Sequence, residues 1–141
     1  MPISYLTRVV EFTATHRLRR PDWSAAQNAA TFGRGALDHS HRYQCRVTVK
    51  GALIGDGKAG GVMNLAALDA LLAEAVTVRF DGRHINEDIP EFADGKLLPT
   101  GEALAVFLWE QLAPRLPAGV QLHAVRVQEG PHIYSEYFGE A

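Results

Sequence analysis

Almost nothing in this sequence points to secretion, a membrane or nucleic acid. There is one cysteine, Cys45, so no intrachain disulfide framework can form and a reducing compartment fits. The longest apolar stretch, VMNLAALDALLAEAV, is broken by Asp69 and Glu74 and is too short to span a bilayer. The opening segment MPISYLTRVVEFTATH lacks the apolar centre of a signal peptide and is charged early, at Arg8 and Glu11, which predicts a cytoplasmic protein. No basic excess exists either. The net charge is -2, so nucleic acid is not the expected partner. Repeats, low-complexity tracts and linkers are missing, and 141 residues predict a single domain, 1–141, long enough to bury a real core.

What the chain does have is clear periodicity. ISYLTRVVEFTATH is rich in β-branched and aromatic residues and reads as a strand. Residues 17–38 carry Pro21, Asp22, Gly33, Gly35 and Asp38 and read as a long irregular loop, which in a compact domain implies a job. HRYQCRVTVKG then alternates, with Tyr43, Cys45, Val47 and Val49 on one side, and ends near the turn signal GDGKAGG. From Val62 the period becomes helical, through Leu65, Leu68, Leu72 and Val76. A second helix is predicted from Thr100, its N-cap, to Leu112, with Glu102 suited to the dipole and Leu104, Phe107, Leu108 and Leu112 as its apolar stripe. VQLHAVRVQEG and HIYSEYFG close the chain as strands. The predicted class is α+β: a four-stranded antiparallel sheet with two helices on one face, in the order ββααββ.

The stretch DHSHRY carries the chemistry. His39 and His41 lie two apart at a strand start, on one face, about 6.5 Å apart along the chain. Two such imidazoles can share an ion, although six histidines in a chain of this size can also land two apart by chance. A third ligand must come from elsewhere. His16 ends the first strand, and an antiparallel neighbour would bring it to the same end of the sheet, whereas His123 sits mid-strand. Three imidazoles with an open fourth position are a catalytic arrangement. The expected cofactor is zinc, though iron or nickel also suit such a set.

These residues resemble the 6-pyruvoyltetrahydropterin synthase and 6-carboxytetrahydropterin synthase family. FTATHRL matches F-x-A-x-H-R-L; SAAQNAATFGRG matches S-x-x-E-N-x-x-x-F-G-x-C; HSHRY matches H-G-H-N-Y. GGVMNLAALDALL, FDGRHINED, LPTGEALAVFLWEQL and VRVQEGPHIYSEY continue the family's landmarks in order over nearly the whole sequence. The resemblance implies the tunnelling fold (T-fold), ring assembly into a homo-hexamer as a dimer of trimers, and zinc on His16, His39 and His41. It also implies a pterin substrate anchored by Glu129, with Thr100 and Glu102 beside it. A carboxylate accepts two parallel N–H bonds from a 2-amino-4-oxo pterin edge as it does from a guanidinium.

Both proton-handling positions of the family pattern depart from it. Its catalytic cysteine falls on Gly35, and the histidine of its Asp-His pair falls on Gly82, while Asp81 is kept. Cys45 lies about 13 Å along the strand from His41, facing the core, and reads as a structural thiol. His84 and His132 are candidate replacements, and a buried Asp81 could act as a base alone. The leading expectation is a zinc-dependent lyase acting on a dihydropterin side chain, with Asp81 and His84 as catalytic residues. Dihydroneopterin or its triphosphate is the expected substrate, and queuosine biosynthesis is one setting. The alternatives are a pterin or purine binder that has lost the chemistry, and a metal-free structural protein of the same fold.

Overall fold

The computed structural model describes residues 1–141, and two long strands organise it. β1 (Ile3–His16) and β2 (His39–Ala52) pair antiparallel along their whole length, from Ile3 opposite Ala52 to His16 opposite His39. The alternation read from the sequence holds in β2, where Tyr43, Cys45, Val47 and Val49 are all buried. Phe12, Ala14 and His16 bury the same face of β1. On the other face polar side chains meet across the pair, as in the 2.7 Å contact between the Thr7 and Thr48 hydroxyls.

After β1 the polypeptide forms α1 (Ala25–Phe32), inside the stretch expected to be loop. Ser24 caps it through a reciprocal box with Gln27, and the buried Asn28 amide ties the preceding turn through Arg20. After β2, α2 (Leu65–Leu72) continues through a π turn (Ala73–Thr77) into α3 (Val78–Phe80). Its buried stripe is Leu68, Leu71, Leu72, Ala75, Val76 and Phe80, while Leu65, expected on that stripe, is exposed. Next come β3 (Arg83–His84), α4 (Ile85–Asp88) and α5 (Gly101–Leu112), the last capped by the Thr100 hydroxyl on the Ala103 N–H at 3.1 Å. β4 (Gln121–Gly130) and β5 (Ile133–Tyr137) complete the fold, with α5 packed over both.

The class is α+β, but the sheet corrects the expectation. It has five strands in the order β3-β1-β2-β4-β5, and it is mixed, because β3 runs parallel to β1 beside Ala14 and Thr15. Two residues are too few to show a period of two. β3 is placed by its neighbours: Asp81 Oδ1 accepts the Thr13 N–H at 2.9 Å, and the Gly82 N–H donates to the Thr13 carbonyl at 2.7 Å. The helices and the inner face of the sheet share one core in which Tyr43, Phe80, Phe92 and Leu108 are almost wholly enclosed. Each such side chain contributes about 1.5–3 kcal/mol by leaving water. No helix is long and apolar enough to cross a membrane.

Candidate metal centre

The full-length pairing of β1 with β2 sets the centre. Because His16 lies opposite His39, and His41 is two residues further on the same face, the three rings converge at one end of the sheet. Their centroids are 4.5, 4.8 and 5.1 Å apart, and one nitrogen from each lies within 4.8 Å of the others.

Backbone carbonyls orient two of these rings directly. His16 Nδ1 is 2.8 Å from the Pro99 carbonyl and His39 Nδ1 is 2.7 Å from the Leu37 carbonyl. A carbonyl only accepts, so each Nδ1 carries the hydrogen and each Nε2 keeps its lone pair. The His41 ring has the backbone of Glu129 as its acceptor. The Tyr43 hydroxyl stands 3.3 Å behind His16 Nδ1. His16 Nε2 is buried and has no protein partner, which is costly for an imidazole nitrogen unless a cation takes its lone pair. The donor set therefore fits a metal ion, with outer hydrogen bonds of the kind that fix ligand imidazoles. Burial pushes the His16 pKa down to about 4, and the other rings add to that. His41 is also lowered, by burial and then by His39. Both shifts favour the neutral imidazole, the form that binds metal.

Glu129 reaches this end of the sheet through a bulge. Gln128 pairs with Tyr134 and Gly130 with Ile133, so Glu129 has no partner in β5. Its carboxyl pKa is raised by burial and by Glu102, while His39 opposes the rise. Glu102 accepts the Ser135 hydroxyl at 3.2 Å. Gly101 leaves room here: a Cβ on it would stand 2.7 Å from Ser135 Oγ and 3.8 Å from the Glu129 carboxyl carbon. Thr100 is committed to capping α5. An open polar pocket of about 650 Å³ lies on the outer face of the sheet, walled by Glu11, Arg42, Gln44 and Gln128, with His41 and Glu129 at its border.

The remaining candidates are spread along the β1 edge. Asp81 is exposed and bonded to the backbone of β1. His84 does not join the three-histidine cluster; its Nε2 lies 3.2 Å from Arg17 Nη1 and 3.3 Å from Asp38 Oδ1. His132 is exposed in the β4–β5 turn, and His123 stacks edge-on against Tyr5 at 4.7 Å. Cys45 is fully buried and burial pushes its thiol up to about 12, as expected of a structural cysteine. Gly35 has an ordinary backbone conformation, and a Cβ there would meet Leu18 at an unstrained 3.6 Å; Gly82 has φ +72° with open space around it. The sequence reading overlooked Tyr43 as the neighbour of His16, the room left by Gly101, and the polar contacts of Arg17 and Asp38. Only the last had a signal, since each directly adjoins a candidate ligand in sequence.

The family model for 6-pyruvoyl tetrahydropterin synthase matches residues 5–140. The chain belongs to that family. It is 35% identical to the 6-pyruvoyl tetrahydrobiopterin synthase of Poecilia reticulata over 140 residues, covering 98% of this chain and 92% of that protein. Identity to the Homo sapiens 6-pyruvoyl tetrahydrobiopterin synthase is 36% over 137 residues, covering 96% and 91%. The structure of Caenorhabditis elegans 6-pyruvoyl tetrahydropterin synthase superposes with a TM-score of 0.86 at 30% identity, over 99% of this chain and 98% of that one. The mixed five-stranded α+β architecture is thus the family's T-fold.

Proposed function

We propose that this protein is a zinc-dependent lyase of the 6-pyruvoyl tetrahydropterin synthase type, acting on the side chain of dihydroneopterin or its triphosphate. One observation carries the reading: three imidazoles, two of them held toward the neutral form by burial, meet within 4.8 Å, beside a half-buried carboxylate that has no strand partner. His16, His39 and His41 would hold the zinc. When bound, zinc supplies Lewis-acid polarisation of substrate oxygens, worth several kcal/mol.

The rest falls to the protein's own side chains. Glu129 accepts two N–H bonds from the pterin edge, and Glu102 beside it keeps the pocket acidic. His84 and Asp81 are the proton-handling candidates. The geometry favours His84, because an Asp81 oxygen already serves a backbone N–H. Strand edges support assembly into a homo-hexamer: β5 and the Ile3–Thr13 part of β1 each have a neighbour on one side only, which leaves both open to pairing with another copy. We place the protein in the cytoplasm on the strength of its single buried thiol.

The test is direct. Tag-free, zinc-loaded protein should convert dihydroneopterin triphosphate, with loss of the substrate peak and release of inorganic triphosphate on chromatography. Tight binding of both dihydropterins with no turnover would reject the lyase reading.

A further inference from the structure

Just past His16 the sequence turns basic. Arg17 is engaged by Asp38 and Asp94, at 3.1 Å each. Arg19 and Arg20 lie beyond it, outside the FTATHRL landmark, which ends at Leu18. Lys96 stands in the turn that leads into α5, just ahead of the LPTGEAL landmark. These two segments face each other. A Cβ on Gly95 would meet Pro21 Cγ at 3.7 Å. Between them lies a cavity of about 350 Å³, lined by Arg19 to Asp22 on one wall and by Gly95, Lys96 and Leu98 on the other. Small-ligand sites run from about 300 to 1,000 Å³, so this one suits a small group.

The charges in the cavity do not cancel. Arg20 is taken up by Asp22 through two contacts, Nε to Oδ1 at 3.1 Å and Nη2 to Oδ2 at 3.0 Å. Asp22 is the one carboxylate in the lining, and Asp94, next to Gly95, is turned to Arg17. Arg19 and Lys96 are exposed and form no ion pair. In a protein of net charge -2, two unpaired cations thus sit on opposite walls of one cavity. Such a cavity recognises an anion. A guanidinium fork binds phosphate oxygens in pairs and an ammonium binds them as a point charge, so the two walls together suit a chain of phosphates.

Both walls adjoin the metal centre. Arg19 is three residues past His16, a span of at most about 11 Å. Leu98 precedes Pro99, whose carbonyl holds His16 Nδ1 at 2.8 Å. Arg19 also lines a second cavity with Leu37, whose carbonyl holds His39 Nδ1 at 2.7 Å.

We propose that the cavity between residues 19–22 and 95–98 is a phosphate-chain subsite, in which Arg19 and Lys96 select a dihydropterin phosphorylated on its side chain over dihydroneopterin. The inference rests on the lyase reading above and deepens it, since that reading leaves both substrates open. A substrate side chain that reaches His16 brings its phosphates within range of both cations. Dihydroneopterin, whose side chain carries only neutral hydroxyls, gains nothing from them. The cations lie outside the family landmarks, so the subsite belongs to this chain.

The experiment uses zinc-loaded full-length protein with Arg19→Gln, Lys96→Gln, the double variant, and Lys58→Gln at the opposite end of the sheet as a control. Arg19→Gln should raise KM for dihydroneopterin triphosphate about tenfold and Lys96→Gln about threefold, with kcat within about twofold, because binding and not the chemical step is changed. Calorimetric affinity for dihydroneopterin should stay within about twofold of wild type in every variant, which also shows that each one folds. Added salt should erode the preference for the triphosphate in wild type and leave dihydroneopterin binding alone. Inorganic triphosphate, with zinc content checked after each titration, should compete with dihydroneopterin triphosphate and bind the double variant at least about tenfold more weakly. An unchanged KM in the double variant, an equal loss for dihydroneopterin, or the same loss in Lys58→Gln overturns the proposal. So does inorganic triphosphate that binds without competing, because the cavity would then hold a free polyphosphate and not the substrate's tail. If wild type turns nothing over, calorimetry with dihydroneopterin triphosphate replaces KM, and a loss confined to Arg19→Gln and Lys96→Gln leaves the subsite standing while the lyase reading fails.

Discussion

Around His16 and His39 the holding groups are backbone carbonyls, from Pro99 and Leu37; around His84 they are charged side chains, from Arg17 and Asp38. Carbonyls neither titrate nor change when a side chain is replaced. Their positions follow from the capping of α5 by Thr100 and from the start of β2. The rim is different. The carboxylates around Arg17 are 41–59% exposed, so each pair alone contributes only about 0–1 kcal/mol, and it is the 15% exposed guanidinium that makes them a cluster. One side of the site is therefore fixed by the fold, and the other by a few substitutable residues.

The largest expected effect lies on the fixed side. His39→Ala should weaken zinc binding by more than about 100-fold, beyond the usual 10–100-fold loss for an outer-shell contact. Metal analysis of tag-free protein should find near-stoichiometric zinc in wild type and little in the variant. Equal zinc in both would remove the distinction between the two sides.

Next comes the pocket. Glu129→Gln should weaken dihydroneopterin binding about tenfold or more, since a hydrogen bond to a charged group contributes roughly 1.5–3 kcal/mol. Calorimetry should show this with zinc content unchanged. A parallel fall in zinc would mean that anchor and centre are not separable.

Acid should act on the fixed side of the metal-free protein. The unfolded His16 ring takes up its proton near 6.5, and burial holds the folded ring neutral down to about 4. Between those values the unfolded state binds the extra proton, so lowering the pH favours unfolding and stability is lost progressively from 6.5 toward 4. Denaturant midpoints across that window should fall, and should fall less steeply in His16→Gln. A flat profile in wild type would contradict the burial of this ring.

The smallest effects separate the two glycines of the rim. Gly82→Ala should cost about 1–2 kcal/mol, because φ is +72° there. Gly35→Ala should be close to neutral, since its Cβ would meet nothing nearer than 3.6 Å. Equal losses at the two positions would show that the rim is as rigid as the histidine side.

Much of the site was legible because it follows from strand periodicity. Tyr43 to Val49 alternate, β1 precedes β2, and antiparallel pairing alone brings His16 to His39 and His41. The helix at Thr100 was legible from its cap and stripe. α1 had a readable signal, the Ser24–Gln27 capping box, but glycines and a proline dominate the stretch and masked it. β3 had none, since two residues in a loop show no period. Neither could the Arg17–Asp38–His84 contacts be seen, because they depend on β3 lying parallel to β1. The bulge at Glu129 is likewise a product of β4–β5 register, which a regular alternation hides.

X-ray absorption at the zinc edge of the loaded, tag-free protein tests the shared-metal claim most directly. The account predicts three imidazole nitrogens at about 2.0–2.1 Å, with the remaining shell changing when dihydroneopterin is added. A zinc environment with no imidazole scattering, or one identical in His39→Ala, would contradict it.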